Sequence, residues 1–363
     1  MLFSFVYYLH RFFQTIGVEW IFTSNEEYLY ITIRTIVVQV ISLLFLFLFV
    51  HKPDDVNAYA GLTVFSLAAV NVANYVRSRK YCNLRFTINI EWNEYLKPIL
   101  VFFGTTIATT VYISSDTTIL GFLCDDYTVG LYSSASKIYS MLKGVLYAAT
   151  AASVPRMAAL WSENKVKEFK KLGEEIYALF LTLTIPAVFG LYLIAKEIIT
   201  VLAGPQFFES YIALRILGFS LFFSLGAGFW SNAILVAVGE EKKILKITII
   251  SAIINFILNL VLIPSMKEKA AAITTLISEV IVFVYCKYQS NKHIIIEGEY
   301  QIVFKCFVGC LPILAWSILL HRVVANTFVC VGVLIGLSVI SYIIVEYILG
   351  NDAVLKVINR DKQ

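Results

Sequence analysis

Long apolar stretches dominate this sequence and recur along its whole length. A helix that crosses a bilayer needs about 20 mostly apolar residues, and stretches of that length alternate here with short polar segments. The pattern predicts about ten spans, or about eleven if the N-terminal stretch also crosses. They lie near residues 31–50, 56–76, 98–123, 128–154, 176–195, 211–238, 244–263, 270–286, 302–320 and 326–349. We therefore expect an all-α, polytopic transmembrane bundle.

The amino-acid composition also indicates a membrane protein. Of the 363 residues, 59% are hydrophobic and 15% are charged, whereas soluble domains carry about 25% charged residues. Cations concentrate in every second loop, within segments 77–85, 156–171, 242–246, 287–292 and 356–362. By the positive-inside rule these loops and the C-terminus are cytoplasmic. A net charge of +4 placed this way indicates topology, and we expect no nucleic-acid partner.

Prolines and a serine indicate where the predicted helices bend, begin or end. Pro186 and Pro312 lie inside spans and predict kinks, while Pro264 lies at the end of a span. The segment 161–175 predicts a short amphipathic helix with Ser162 as its N-cap. The four histidines lack a second ligand at metal spacing, so we expect neither a metal nor a cofactor. The six scattered cysteines are interpreted as small apolar fillers.

Polar residues at membrane depth mark candidate functional positions, because a charge near the centre of a spanning helix costs about 2.5–3.5 kcal/mol. The helix that begins near Thr128 carries such residues within an arc of about 120°. They are Ser133, Ser136, Lys137, Ser140, Lys143 and Tyr147. Lys143 has no obvious partner in the sequence. The stripe therefore predicts a polar wall whose cations attract an anion.

The preceding helix presents a second polar face, with Thr105, Thr109, Tyr112 and Asp116. Asp116 lies about as far from the intervening loop as Lys137 does, which predicts an ion pair across the helical hairpin. Two interpretations stay open for such residues. Either they contact substrate, or they only satisfy one another inside the bundle.

Two later helices repeat the pattern, with Asn255 and Asn259 on one and Glu279 on the next. Amide and hydroxyl groups suit sugar hydroxyls, but they also hold membrane helices together. Arg34 lies near a helix end, where it either contacts substrate or extends its charge to the interface. We keep Arg34 and Glu279 as candidate cavity residues on the ground of their depth.

Several segments together resemble a family. These segments are GVEWIFTSNEEYLYITIRT (17–35), SSDTTILGFL (114–123), VGLYSSASKIY (129–139), VPRMAALW (154–161), INFILNLVLIP (254–264) and AAAITTLISE (270–279). In order and spacing they are similar to polysaccharide repeat-unit flippases of the Wzx type, which share a superfamily with multidrug and toxin extruders and lipid II flippases.

The resemblance implies two six-helix bundles with a central cavity between them, followed by two additional C-terminal helices. Here residues 1–97 would form an incomplete first bundle, 98–290 a complete second bundle and 301–363 the additional helices and tail. The chain begins where members have completed about three spans. Lys137 matches the cations that line the cavity, and Asp116 matches the aspartate of the preceding helix. Members usually have glycines where this chain has Ser265 to Lys269.

The implied function is translocation of a lipid-linked oligosaccharide, of the undecaprenyl-pyrophosphate type, by alternating access and without enzymatic chemistry. Its partners would be that substrate, membrane lipids, and the polymerase and export machinery of a surface polysaccharide. A cation-coupled extruder of small amphiphiles and an inactive truncated flippase are the alternatives. A membrane glycosyltransferase is disfavoured, because Asp125 and Asp126 on a short turn do not form a metal-binding carboxylate cluster.

Overall fold

The structure is a computed structural model that describes residues 14, 17–25, 27–52, 55–82, 96, 115–151, 154–324 and 326–359. The chain divides into two compact units, Met1–Ile99 and Leu100–Gln363. The described residues form helices joined by short turns, in agreement with the all-α prediction. The predicted division into segments 1–97, 98–290 and 301–363 stays a prediction.

The first unit contains a helical hairpin. A short helix, α1 (Glu19–Ser24), precedes α2 (Tyr28–Phe49) and α3 (Val56–Ser78), and the last two match the spans predicted at 31–50 and 56–76. Asp55 closes the turn between them, because its Oδ2 accepts hydrogen bonds of 2.9 Å from the backbone N–H groups of His51 and Lys52. These bonds hold the pKa of the Asp55 carboxyl below its usual value.

The second unit contains the remaining helices. In chain order they are α4 (115–123), α5 (Asp126–Ala151), α6 (Val154–Ser162), α7 (Val166–Leu202), α8 (Ser210–Gly228, continued by the π-helical segment Phe229–Leu235), α9 (Glu241–Ser290), α10 (Glu299–Gly309), α11 (Leu311–Val323), α12 (Thr327–Ile348) and α13 (Asp352–Asn359). Residues 98–114 of the predicted span 98–123 lie outside the described residues.

Helix α9 is a hairpin of two antiparallel arms that turn at Lys267. Lys267 adopts φ 51° and ψ −130°, a conformation that favours glycine. The two arms, residues 241–266 and 268–290, correspond to the spans predicted at 244–263 and 270–286. The kink predicted at Pro312 is also confirmed, since α10 ends at Gly309 and α11 begins at Leu311. Helix α7 contains Pro186 and departs from helical geometry at Ile194.

One local prediction is wrong. Ser162 ends α6 rather than capping a new helix, because its Oγ donates a 2.8 Å hydrogen bond back to the carbonyl oxygen of Ala159. The chain then turns at Asn164, which has a φ of 57°, and α7 begins at Val166. Helix α7 continues without interruption past Glu175, so the predicted amphipathic helix is the first part of a helix that ends at Leu202.

Within the described ranges, seven helices are long and apolar enough to cross a membrane, and the α9 hairpin counts as one of them. The chain is therefore a multi-pass membrane protein. Helix α5 is not among the seven, because its serines, tyrosines and two lysines lower its apolar content.

The second unit separates its charges between two ends. At one end, ion pairs join Lys170 to Glu297 and Lys356 to Glu175, and Lys287 to Glu299 at 2.8 Å. This lysine-rich end comprises segments 161–175, 240–243, 287–299 and 352–356. At the opposite end, the segments 124–127, 204–209 and 265–269 line one cleft. The loops of this unit that are predicted to be cytoplasmic thus lie at one end, and the intervening loops, which include Lys267 and Lys269, lie at the other.

Candidate functional site

The α9 hairpin brings polar residues of its two arms face to face. Asn255 and Asn259 are one helical turn apart on the first arm, and Thr274 and Thr275 lie on the second. The Thr274 hydroxyl donates a 2.6 Å hydrogen bond to Oδ1 of Asn259. Because that oxygen is occupied, the amide nitrogen of Asn259 points toward α4.

A buried carboxylate on α4 accepts that amide. Asn259 Nδ2 donates to Asp116 Oδ1 at 2.5 Å, while the hydroxyls of Tyr132 and Thr275 donate to Asp116 Oδ2 at 2.7 Å each. Asp116 and Asn259 are 7% and 0% exposed. Asn255 extends the group, since its Oδ1 accepts the second amide hydrogen of Asn259 at 3.1 Å. We call these five residues the Asp116 centre.

A second carboxylate, Glu279, is partly exposed and lies one turn beyond Thr275 on the second arm of α9. Glu279 Oε1 is 3.4 Å from Lys143 Nζ and accepts a 2.8 Å hydrogen bond from the Ser224 hydroxyl. Helix α8 approaches closely here, since a Cβ on Gly226 would lie 2.6 Å from the Phe283 ring. The prediction that Lys143 lacks a partner is therefore wrong. We call Lys143, Glu279 and Ser224 the Glu279 centre.

The predicted ion pair between Asp116 and Lys137 is also wrong. Tyr132, which contacts Asp116, precedes Lys137 by five residues, and this separation places the two side chains about 140° apart around α5. Lys137, Ser133 and Ser140 are instead exposed. In the part of the chain that the structure describes, no carboxylate lies within 4.0 Å of the Lys137 ammonium.

Helix α5 therefore has two polar faces. One turns inward and carries the Tyr132 hydroxyl and the Lys143 ammonium, and the other carries Ser133, Lys137 and Ser140 outward from the packed core. A single stripe was predicted. Lys143 lies at its edge, where a long side chain reaches into the bundle.

Two of the predicted site residues, Thr109 and Tyr112, lie outside the described residues. Tyr132 was missed, although it belongs to a recognisable pattern. It recurs with Ala135 and Tyr139 at helical spacing, and all three are buried. A tyrosine hydroxyl on the buried face of a spanning helix needs a hydrogen-bond partner, and this requirement is the signal that would have identified it.

Arg34 belongs to a separate network in the first unit. Its guanidinium donates to Asn74 Oδ1 and pairs with Glu19 Oε2 at 2.9 Å. Arg34 is 7% exposed and Asn74 is 0% exposed. The structure thus shows Arg34 paired within its own unit, and both interpretations of Arg34 stay predictions.

The charged candidate residues of the second unit thus fall into three environments with different chemistry. The Asp116 carboxylate is surrounded by uncharged donors, the Glu279 carboxylate faces a lysine, and Lys137 is a cation on an exposed polar face. An exposed cation attracts an anionic ligand, whereas a carboxylate held by neutral oxygen- and nitrogen-bearing groups suits a proton or a small cation. In the described ranges, no group of three or more His, Cys, Asp or Glu side chains is placed to hold a metal ion.

Comparison with protein families adds two overlapping matches. The model of a family described as polysaccharide biosynthesis protein matches residues 1–161. The MatE family model matches residues 101–261. The overlap at residues 101–161 contains both Asp116 and Lys137.

Individual relatives agree with these matches. The chain is 24% identical over 269 residues to a putative O-antigen transporter of Escherichia coli K12, across 72% of this chain and 64% of that protein. It is 24% identical over 281 residues to the capsular polysaccharide biosynthesis protein CapF of Staphylococcus aureus, across 74% and 68%. It is also 24% identical to a probable low-salt glycan biosynthesis flippase, Agl15, of Haloferax volcanii, across 55% and 42%. The chain thus spans less than two thirds of the first of these relatives.

Among solved structures, the inward closed conformation of the lipid II flippase MurJ is similar, with a TM-score of 0.73 and 17% sequence identity. The match covers 94% of this chain and 70% of that structure. At this identity the likeness concerns the fold.

Proposed function

We propose that the chain belongs to the exporter superfamily that includes polysaccharide flippases and multidrug extruders, and that it translocates lipid-linked oligosaccharide repeat units across the cytoplasmic membrane. The substrate class is an oligosaccharide on an undecaprenyl-pyrophosphate carrier, used to build a capsule, an O-antigen or another surface polysaccharide. The protein performs no chemistry on it and works by alternating access.

The outward polar face of α5 carries this proposal. Its lysine, Lys137, is exposed on a helix that packs against the apolar helices α7, α8 and α9, and it lacks a carboxylate partner among the described residues. A cation in that position is costly unless an anion meets it. The pyrophosphate of the carrier, or an acidic sugar, supplies that anion, while the Ser133 and Ser140 hydroxyls contact sugar hydroxyls.

The Asp116 centre supplies the coupling step in this proposal. Its carboxylate binds a proton or a small cation among four other oxygen- and nitrogen-bearing side chains, from α5 and both arms of α9. Occupation of the centre draws these helices together, and release loosens them. Such a change gives the ion different affinities for two conformations, which is what coupling requires.

We place the lysine-rich end and the C-terminus in the cytoplasm, according to the positive-inside rule. The lipid-linked substrate then enters from that side and leaves at the end that carries residues 124–127, 204–209 and 265–269. The polymerase and export machinery that consume the repeat unit are the expected protein partners there.

Transfer of a lipid-linked oligosaccharide in proteoliposomes tests the proposal. We expect Lys137→Gln to reduce transfer about tenfold or more, because a hydrogen bond to a charged group contributes about 1.5–3 kcal/mol. Lys137→Arg should retain most of the transfer. Lys242→Gln is the matched control, since Lys242 is an exposed lysine at the start of α9. Unchanged transfer in Lys137→Gln would remove this face from the substrate path.

The Asp116 centre also favours a second candidate, a cation-coupled extruder of small amphiphiles. Such a protein would use a buried carboxylate in the same way, and the MatE match is compatible with it. Efflux of cationic dyes from cells that express the chain separates the two. Dye efflux that depends on Asp116, without transfer of lipid-linked sugar, would replace the flippase with the extruder.

A further inference from the structure

A polar cleft of about 420 Å³ opens at the end of the second unit opposite the lysine-rich end. Its volume falls in the range of about 300–1,000 Å³ that is typical of small-molecule sites. Three short segments contribute its walls: the start of α5, the turn before α8 and the turn of the α9 hairpin. Its charged and aromatic lining consists of Asp125, Tyr127, Glu209, Lys267, Glu268 and Lys269.

Glu268 is the feature that points to a ligand. It is 6% exposed and lines the cleft. Among the described residues it forms no hydrogen bond and no ion pair, unlike Asp116 and Glu279, which are both satisfied. Its carboxylate is therefore available to accept hydrogen bonds from a molecule that enters the cleft.

Tyr127 provides a rigid apolar surface beside these charges. Its ring stacks on Phe207, with 6.5 Å between ring centroids and 14° between planes, and its hydroxyl donates a 3.0 Å hydrogen bond to the carbonyl oxygen of Gln206. Phe207 in turn lies over Gly130, where an added Cβ would be 2.9 Å from the ring. The Tyr127 ring is 50% exposed, so part of it remains available for contact.

The carboxylates, lysines and tyrosine that line the cleft favour one class of ligand over others. No group of three metal-ligating side chains occurs in the described ranges, so a metal ion is not favoured here. A lipid tail does not suit a lining of carboxylates and lysines. A sugar suits all of it, because hydroxyl groups donate to a carboxylate, ring and acidic oxygens accept from lysines, and the apolar face of a pyranose packs on an aromatic ring.

We infer that this cleft is a saccharide-binding subsite, in which Glu268 accepts hydrogen bonds from sugar hydroxyls and Tyr127 packs against the sugar ring. The inference rests on the proposed function, because the choice of a sugar as the ligand follows from it. It adds a second contact for the oligosaccharide, at the opposite end from the lysine-rich one, where the sugar head leaves after translocation. The Ser265–Lys269 turn, which departs from the family pattern, then forms part of this subsite.

Binding of lipid-free sugars to the purified full chain tests the subsite separately from transport. The probe is an array of soluble bacterial oligosaccharides, followed by titration of the strongest binder. We expect at least one oligosaccharide to bind, and Glu268→Gln to weaken its binding about tenfold or more. Glu241→Gln is the matched control, because Glu241 occupies the first turn of the other arm of α9 and is exposed.

A second variant tests the subsite independently, in case Glu268→Gln loses binding because it does not fold. Tyr127→Ala removes the aromatic surface and should also weaken binding, while the thermal unfolding of both variants stays near that of the wild type. Absence of binding to every oligosaccharide, or equal binding by Glu268→Gln and the wild type, would overturn the inference. Preference for amines or peptides over sugars would overturn it as well.

Failure of the saccharide subsite and failure of the proposed function give different results. Transfer that depends on Lys137 without any binding of free sugar removes the subsite and leaves the flippase. Binding of free sugar that depends on Glu268, without transfer of the lipid-linked form, removes the flippase and leaves a saccharide site.

Discussion

The Asp116 and Glu279 centres each hold one carboxylate, Asp116 on α4 and Glu279 on the α9 hairpin, and they stabilise it with different partners. Asp116 accepts three hydrogen bonds from uncharged side chains. Glu279 accepts one from Ser224 and faces the ammonium of Lys143. A carboxylate with a built-in counter-charge has little need of an external cation, whereas one held only by neutral donors retains affinity for a proton or a metal cation. Under the proposed function, we therefore expect Asp116 to couple the ion and Glu279 to hold helices together.

The largest expected effect comes from removing the charge at Asp116. Asp116→Asn should eliminate the dependence of transfer on a proton or sodium gradient and reduce driven transfer about tenfold or more, since the ion loses a charged partner. The measurement is transfer in proteoliposomes under imposed gradients of each ion. Glu279→Gln is the matched control and should keep gradient dependence. If both variants lose it, the two centres act as one and the comparison fails.

The Glu279 centre should reveal itself in stability. Glu279→Gln or Lys143→Met alone leaves one charge at membrane depth without its partner, and we expect a loss of about 1–3 kcal/mol in the free energy of unfolding. The double variant should lose less than the sum of the two, with a coupling energy of about 0.5–3 kcal/mol. Unfolding in detergent measures both quantities. Additive effects would mean that the ion pair contributes nothing.

A smaller effect is expected from the neutral donors of Asp116. Tyr132→Phe removes one of three hydrogen bonds while preserving the ring, and it should cost about 1 kcal/mol in unfolding free energy. It should also change the gradient at which transfer reaches half its maximum, because the carboxylate loses part of its stabilisation. Tyr192→Phe is the control, since Tyr192 is 41% exposed. An unchanged ion response in Tyr132→Phe would show that the hydroxyl only packs.

The contrast between the two centres also explains what the sequence could predict. Helical class, the span positions at α2, α3 and α9 and the break at Pro312 follow from hydropathy and proline chemistry, which act locally. The depth of Asp116, Lys143 and Glu279 follows from the same pattern. Their partners do not, because pairing depends on how α5 rotates against α4 and α9, and a change of five residues along α5 turns a side chain by about 140°.

Lys143 shows why the partner of a polar residue could not be predicted from the sequence. Its partner Glu279 is 136 residues away in the chain, and each had been identified by depth without any signal that connects them. Ser162 illustrates the converse, since its hydroxyl has a local choice between capping the next helix and bonding backward, and the turn at Asn164 decides it.

The smallest expected effect on transfer comes from the turn of the α9 hairpin at Lys267, which sets the register of both arms. Lys267 holds a conformation that costs non-glycine residues about 1–3 kcal/mol, and glycine removes this strain but gains about 0.4–1 kcal/mol of entropy in the unfolded chain. Lys267→Gly should therefore leave the free energy of unfolding unchanged or raise it by up to about 2.6 kcal/mol. Since the hydrogen bond between Thr274 and Asn259 joins the two arms away from this turn, the register of the arms should persist, and so should gradient-dependent transfer. A gain in stability accompanied by loss of ion coupling would instead mean that strain at Lys267 holds the Asp116 centre in its ion-binding form, and the two centres would then differ by backbone strain as well as by charge.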